Sequence, residues 1–240
     1  MLRGLLHFLR HGPETLRLKS RLSKGELYDV LAERADRAGL DRRRRELVQG
    51  LAGEILEIGA GTGRMFEYYA SGARVTALDP DPAFTEQSMA AASRSAAKVR
   101  LMPGAAESLP FEAATFDGAV AALTLCSVRS VPAVLAELKR VLRPGAELRL
   151  LEHVRSERPV PGFLMWAFNW LWRLLNGDGC NMHRRPLQAL RAAGFEVVEV
   201  ERFQVYSAGW PAFPLRRIRA VVRQDPLDAS PRRGEGASHR

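Results

Sequence analysis

Cysteine is scarce in this chain: Cys126 and Cys180 are the two among 240 residues. Two cysteines cannot build a disulfide framework, and these two show no metal-ligand spacing, so no metal site is expected and a reducing compartment fits. Long hydrophobic runs are missing as well. The most apolar stretch, GFLMWAFNWLWRLL from Gly162 to Leu175, is interrupted by Asn169 and Arg173 and falls short of the roughly 20 residues that a spanning helix requires. The opening MLRGLLHFLRHGPETLRLKSR alternates apolar residues with Arg and His and shows neither the apolar core nor the cleavage site of a secretory leader. A cytoplasmic protein is expected. Its apolar and charged fractions, 46% and 26%, exclude a disordered or fibrous class, and the length favours one domain with appendages.

The centre of the chain also lacks net charge. Of the overall +9, the first fifty residues carry +5 and the last thirty +4, while residues 51–210 balance. This argues against a nucleic-acid groove across the central domain. The basic ends have two readings, a solubilising surface or peripheral contact with an acidic surface such as a membrane.

What is present is alternation. Residues 1–50 read as an N-terminal helical cap: a basic amphipathic helix to about residue 24, interrupted at Gly12 and Pro13, then a second helical stretch from Lys24 to Gln49. From Glu54 the pattern changes to short β-prone runs at 54–58, 74–78, 98–102, 116–122 and 146–151, with helical stretches between them at 63–69, 82–97 and 131–142. A further helix at 184–193 and β-prone runs at 196–205 and 217–223 complete a domain over 51–224. Residues 225–240 read as a disordered tail. Strand alternating with helix predicts an α/β fold, a mostly parallel sheet covered on both faces.

The stretch EILEIGAGTG places Gly59, Gly61 and Gly63 in the turn after the first strand, where backbone can approach a ligand closely. Arg64 stands where the dinucleotide fingerprint needs its third glycine, and no Lys-Ser/Thr pair ends the loop as in a P-loop. Glu57 would repel a pyrophosphate but suits an ammonium. Asp79, closing the run RVTALD, suits the two hydroxyls of a ribose. Together these positions describe a nucleoside whose other end is an amino acid, a description that fits S-adenosylmethionine.

EILEIGAGTG, VTALDPDP, GAAESLPF, FDGAVAALTLCSV and LKRVLRPGAELRLLEHV resemble the successive motifs of class I S-adenosylmethionine-dependent methyltransferases of the type 11 group. GDGCNMHRRPLQALRAAGFEVVEVERF, with LCSV and EHV, further resembles the branch of the methyltransferase-like thiol methyltransferases and their bacterial relatives. The resemblance implies a Rossmann-like fold with a seven-stranded, mostly parallel sheet. It also implies that Glu57, Gly59, Ala60, Gly61 and Gly63 line the methionine and ribose, with Asp79 on the ribose hydroxyls and Pro80 beside the adenine. Ala106 and Glu107 would flank the adenine, and Ala122 and Leu123 would lie under the methionyl part. Many relatives read GDAE where this chain has Gly104-Ala105-Ala106-Glu107, so the carboxylate that takes the adenine amino group is absent here.

Methyl transfer from a sulfonium needs an in-line nucleophile and placement more than a covalent protein intermediate. Candidate bases are His153 in LLEHV and Asp178 and His183 flanking GDGCNMH, each also readable as structural. Cys126 has no His partner evident in sequence and reads as buried packing, whereas Cys180 has a better claim on the acceptor site. The aromatic insert at 159–182 has three readings: a lid over a small apolar acceptor, which is favoured, a membrane-facing surface, or packing against the N-terminal helices. The expected activity is methyl transfer to a small, rather apolar acceptor, a thiol first, a phospholipid amine second. A non-catalytic cofactor-binding module is the alternative of a different class.

Overall fold

The computed structural model describes residues 17–18, 20–176, 180–181, 183–205 and 214–223. The N-terminal helix expected before residue 17, Asp178 and the tail expected over 225–240 lie outside the described residues.

Seven strands form one sheet: β1 (Gly53–Ile58), β2 (Ala73–Asp79), β3 (Lys98–Pro103), β4 (Phe116–Ala122), β5 (Leu142–His153), β6 (Phe195–Gln204) and β7 (Pro214–Val222). Their order is β3-β2-β1-β4-β5-β7-β6. All neighbours are parallel except β7, which runs antiparallel to both β5 and β6. Because β1 pairs with β2 on one side and β4 on the other, the chain reverses direction across the sheet at β1. The carboxyl ends of β1 and β4 therefore open onto the crevice where such sheets bind ligands.

The central runs form strands buried on both faces, while the edge strands β3 and β6 stay largely exposed. Ile55, Leu56 and Ile58 of β1 and Ala119, Val120 and Ala121 of β4 are all inaccessible, as a central parallel strand requires. Among the described residues seven helices complete the layers: α1 (Lys24–Ala35), α2 (Asp41–Val48), α3 (Thr85–Arg94), α4 (Val131–Val141), α5 (Pro159–Ala167), α6 (Asn169–Asn176) and α7 (Pro186–Ala192). In α4 the Ser130 side chain accepts the Ala133 N–H at 3.3 Å and Pro132 occupies the first turn, both start signals. Val131, Val134, Leu135, Leu138 and Val141 then make one buried face. Each large apolar side chain so buried contributes about 1.5–3 kcal/mol.

Two expected helices differ. The stretch 63–69 forms turns and a single 3-10 turn at Phe66–Tyr68. Gly63 takes φ +78°, a left-handed conformation that a right-handed helix does not contain, and Phe66 and Tyr69 are buried at 0% and 2% exposure. The stretch 24–49 breaks into α1 and α2 through a wide turn at Asp36–Leu40, because Gly39 adopts φ +107°. This bend delivers Asp36 and Arg44 to the underside of the glycine loop.

Candidate active site

The three loop glycines have different physical reasons. A Cβ on Gly59 would collide with the Thr124 side chain, and one on Gly63 would meet the Phe66 ring at 2.7 Å and Ala91 at 2.8 Å. These two are small because protein packs against them. Gly61, at φ +54°, is the one that faces space: the nearest atom to its Cβ position is Tyr28 Cε1 at 3.9 Å. Bare backbone therefore lies open beneath the ring that α1 supplies.

Asp79 ends β2 half-buried beside that opening. Its Oδ2 accepts the Gly61 N–H at 2.8 Å and its Oδ1 the Asp81 N–H at 2.9 Å. Burial pushes its pKa up, opposed by those two donors. The carboxylate thus shapes the glycine turn while each oxygen keeps capacity for another donor. Pro80 beside it is exposed. Arg64, the cation of the loop, is spent on Asp36: Nη2 lies 2.6 Å from Oδ2, and Arg44 Nε approaches Oδ1 at 2.9 Å. No basic side chain of the loop remains to cradle a pyrophosphate.

Glu57 departs from its expected position. It is 2% exposed under the loop, and its Oε2 accepts the Tyr69 hydroxyl at 2.8 Å. Burial raises its pKa to about 8, partly offset by Tyr69 and Arg44. In this structure the carboxyl is a buried strut, not an exposed partner for an ammonium. Glu107 likewise has a protein partner, since its Oε1 accepts the Arg129 N–H at 2.7 Å and holds the loop preceding α4. Ala60 and Ala106 are buried, and Ala60 donates its N–H to the Leu78 carbonyl at 3.0 Å.

The other half of the crevice is built at the ends of β4 and β5. Ala122 ends β4 partly buried, and Leu123 follows with φ +60°, a left-handed conformation that is costly for a branched side chain and concentrates at functional sites. Its N–H is held by the Leu151 carbonyl at 2.7 Å. Thr124 Oγ1 donates to the Ile58 carbonyl at 3.1 Å, close under Gly59. Glu152, fully buried, accepts the N–H groups of Thr124 and Leu125 on Oε1 at 2.9 and 2.8 Å. Burial raises the Glu152 pKa to about 8, opposed by the backbone donors of Leu125, Thr124 and Cys126.

Beyond this corner lies a pocket of about 400 Å³ whose walls include Leu125, Val131, Trp166 and Pro186, with Cys126, Glu152, His153 and His183 among its polar lining. His183 has a lowered pKa because of burial and the neighbouring Arg184. Cys126 is buried, as expected for packing, but the fold also gives it a histidine: one ligand atom each of Cys126, His153 and Cys180 lies within 4.8 Å of the others. Hydrogen bonding with Cys180 and burial both hold the Cys126 thiol protonated. Sequence spacing concealed this cluster, because its members come from three segments that only the β4, β5 and insert geometry brings together.

The insert forms α5 and α6, and the described aromatic side chains it carries are not sunk into the core. Val160, Phe163, Trp166, Phe168 and Trp170 are between 53% and 65% exposed; the expected packing against the first N-terminal helix lies outside the described residues. Among the described residues no helix is long and apolar enough to cross a membrane. Tyr28, Thr124 and Glu152 are site residues that sequence reading missed. Glu152 carried a signal, an acidic residue directly after the apolar pair Leu150 and Leu151 near the end of β5.

The methyltransferase domain family matches residues 56–150. Human thiol S-methyltransferase TMT1B is 36% identical over 194 residues, which cover 73% of this chain and 76% of that protein. Human thiol S-methyltransferase TMT1A is 35% identical over 159 residues, 62% and 63% of the two chains. Among solved structures, a SAM-dependent methyltransferase of Methanosarcina mazei superposes with a TM-score of 0.61 at 21% identity, covering 78% of this chain and 98% of that one. The glycine turn, the acid that ends β2, the strand order and these likenesses agree: the chain belongs to the class I S-adenosylmethionine-dependent methyltransferases.

Proposed function

We propose that this enzyme methylates the sulfur of a small, rather apolar thiol. The observation that carries the reading is the pocket at the ends of β4 and β5, where Leu125, Val131, Trp166 and Pro186 share the lining with Cys126, Glu152, His153, Arg155, Arg184 and Arg185. It meets the glycine loop through Thr124. The 36% identity to a human thiol S-methyltransferase supports the same acceptor.

The residues present fit the cofactor. Gly61 leaves open space above bare backbone, Asp79 offers a carboxylate beside it, and Arg64 is occupied by Asp36. In this reading Gly59, Ala60, Gly61 and Gly63 follow the methionine and ribose, Asp79 takes the ribose hydroxyls, and Pro80, Ala106 and Glu107 border the adenine. Ala122 and Leu123 support the methionyl part. When bound, the cofactor supplies a sulfonium-activated methyl group. Tyr28 covers the loop from above, and Leu123 and Thr124 fix the floor between cofactor and acceptor. Trp166 lends the pocket an apolar wall, and shielding the acceptor from water favours transfer to sulfur over loss to solvent. A thiol needs little help to lose its proton near neutral pH, so placement is the protein's main contribution.

Methyl-labelled S-adenosylmethionine tests the reading in a host extract split into lipid, small-molecule and macromolecular fractions. The expected result is label among small molecules, abolished when thiols are alkylated first. Label in the lipid fraction overturns the thiol reading in favour of a phospholipid amine, and gives the exposed aromatics of the insert a lipid surface to meet.

A further inference from the structure

From the cluster beside the pocket we infer a metal site: Cys126, His153 and Cys180 hold a zinc ion, and the acceptor thiol takes its fourth position. The inference rests on the thiol reading only for the fourth ligand; the three protein ligands stand without it.

Two thiol sulfurs and an imidazole nitrogen, all within 4.8 Å of one another, form a soft set that suits zinc. Three protein ligands with one open position is the arrangement of catalytic rather than structural zinc. Tetrahedral bonds of about 2.3 Å to sulfur and 2.0–2.1 Å to nitrogen would draw the three atoms together by well under an ångström each. The cluster is also pre-positioned. Asn181 donates its backbone N–H to the Cys126 carbonyl at 2.8 Å and its side-chain amide to the same oxygen at 3.4 Å. Asn169 Nδ2 in turn donates to Asn181 Oδ1 at 3.1 Å. Arg155 donates its N–H to the Arg184 carbonyl at 2.9 Å, tying the strand end that carries His153 to the same loop. Both asparagines are buried.

A second observation points to a ligand in the same place. Glu152 Oε2 is buried without a hydrogen-bond partner and Glu152 lines the pocket beside Cys126 and His153. A carboxylate oxygen left idle in a buried corner is costly unless a cation or a donor arrives. Zinc would supply that positive charge.

The fourth position faces the pocket, because Cys126 and His153 line it. An acceptor R–SH that binds there loses its proton to water at the pocket mouth and becomes a metal-held thiolate. Its sulfur lone pair then forms the new S–CH3 bond as the methyl–sulfonium bond breaks. That bond's electron pair stays on the departing sulfur, leaving S-adenosylhomocysteine and a neutral thioether that dissociates from zinc. No electrons are gained or lost.

The test uses the full chain purified under reducing conditions, with zinc added, excess removed and bound metal counted by mass spectrometry. About one zinc per chain is expected for wild type and well under a tenth of that for Cys126→Ser, Cys180→Ser and His153→Ala. Cobalt(II) should give the intense thiolate charge-transfer absorption in wild type and not in the variants. A rise in Tm with S-adenosylhomocysteine in each variant shows that it is folded. Wild type that binds no zinc and gives no cobalt–thiolate absorption overturns the site, as does a Cys126–Cys180 disulfide forming with equal ease in the presence of zinc. Chelator-stripped protein that methylates thiols at the wild-type rate overturns the role of the fourth position and leaves the thiol reading standing. Stoichiometric zinc in a protein that labels no thiol leaves the three-ligand site standing and sinks the thiol reading.

Discussion

Glu152 accepts the backbone N–H of Thr124 at 2.9 Å, and the Thr124 hydroxyl donates to the carbonyl of Ile58. One side chain at the end of β5 thereby fixes the loop after β4, which in turn braces the start of the glycine turn after β1. Glu152→Ala removes the acceptor for two buried N–H groups, those of Thr124 and Leu125. Each orphaned donor costs about 1–3 kcal/mol. A loss of about 2–4 kcal/mol in urea unfolding is expected, with weaker cofactor binding because Gly59 loses its brace. Glu152→Gln keeps an acceptor oxygen and should recover more than half of the loss. Equal damage from both variants would show that charge, not the acceptor geometry, matters.

The glycines separate in a second experiment. Gly59→Ala must displace Thr124 and adopt φ +64°, so it should cost about 1–3 kcal/mol of stability. Gly61→Ala meets no atom closer than Tyr28 at 3.9 Å; it pays only the backbone strain of φ +54° but places a methyl where ligand is expected. Asp79→Ala should behave like Gly61→Ala. Both should lose most of the Tm rise with S-adenosylhomocysteine while unfolding cooperatively. A Tm rise as large as wild type in either variant would mean that the cofactor does not lie against this turn.

Much of this was legible in the sequence, because a parallel sheet writes its strands as continuous apolar runs and its ligand turn as glycine. Long-range pairing was not. Nothing in EILEIG shows that Glu57 points at Tyr69 instead of into the crevice, since a strand's alternation assigns faces but not what waits on them. The helix expected at 63–69 gives way to turns because Gly63 takes φ +78° against Phe66 and Ala91, a left-handed conformation that interrupts a right-handed helix. Cys126, His153 and Cys180 have no sequence spacing to read; they meet because β4 and β5 are adjacent and the insert folds back over their ends.

Glu57 makes stability depend on pH in a stated direction. Its folded pKa of about 8 stands above the ordinary 4.5, so between these values the folded state holds a proton that the unfolded state has released. Stability therefore falls as pH rises through that window, by a few kcal/mol in all, and this contribution is flat above it. Glu57→Gln cannot ionise and keeps a side-chain oxygen for Tyr69. Urea midpoints from about pH 5 to about pH 8 should fall less steeply in the variant than in wild type. Parallel curves would place the raised pKa elsewhere.

The buried ion cluster under the loop gives a further check. Asp36, 8% exposed, holds Arg44, 4% exposed, and Arg64 at once. Asp36→Ala leaves the Arg44 guanidinium buried without its carboxylate, and about 3–5 kcal/mol should be lost. Adding Arg44→Met to that variant removes the stranded charge and should restore at least half of the loss, as a double-mutant cycle would show. No restoration would mean that Asp36 acts through Arg64 and the turn instead.

Trp166 distinguishes the two uses of the aromatic insert. It lines the pocket although 56% exposed, whereas Trp170, 65% exposed, is not among the lining residues. If the insert is a lid over the acceptor, Trp166→Ala should raise the KM for an apolar thiol by about tenfold, the value of losing about 1.4 kcal/mol of contact. It should leave the KM for S-adenosylmethionine unchanged, and Trp170→Ala should affect neither. If instead these side chains serve a lipid surface, the two substitutions should weaken vesicle binding equally and leave both KM values where they are. The comparison needs no knowledge of the natural acceptor, because Trp166 lines the same pocket as Cys126 and His153, so any apolar thiol that fills it is offered the indole as a wall.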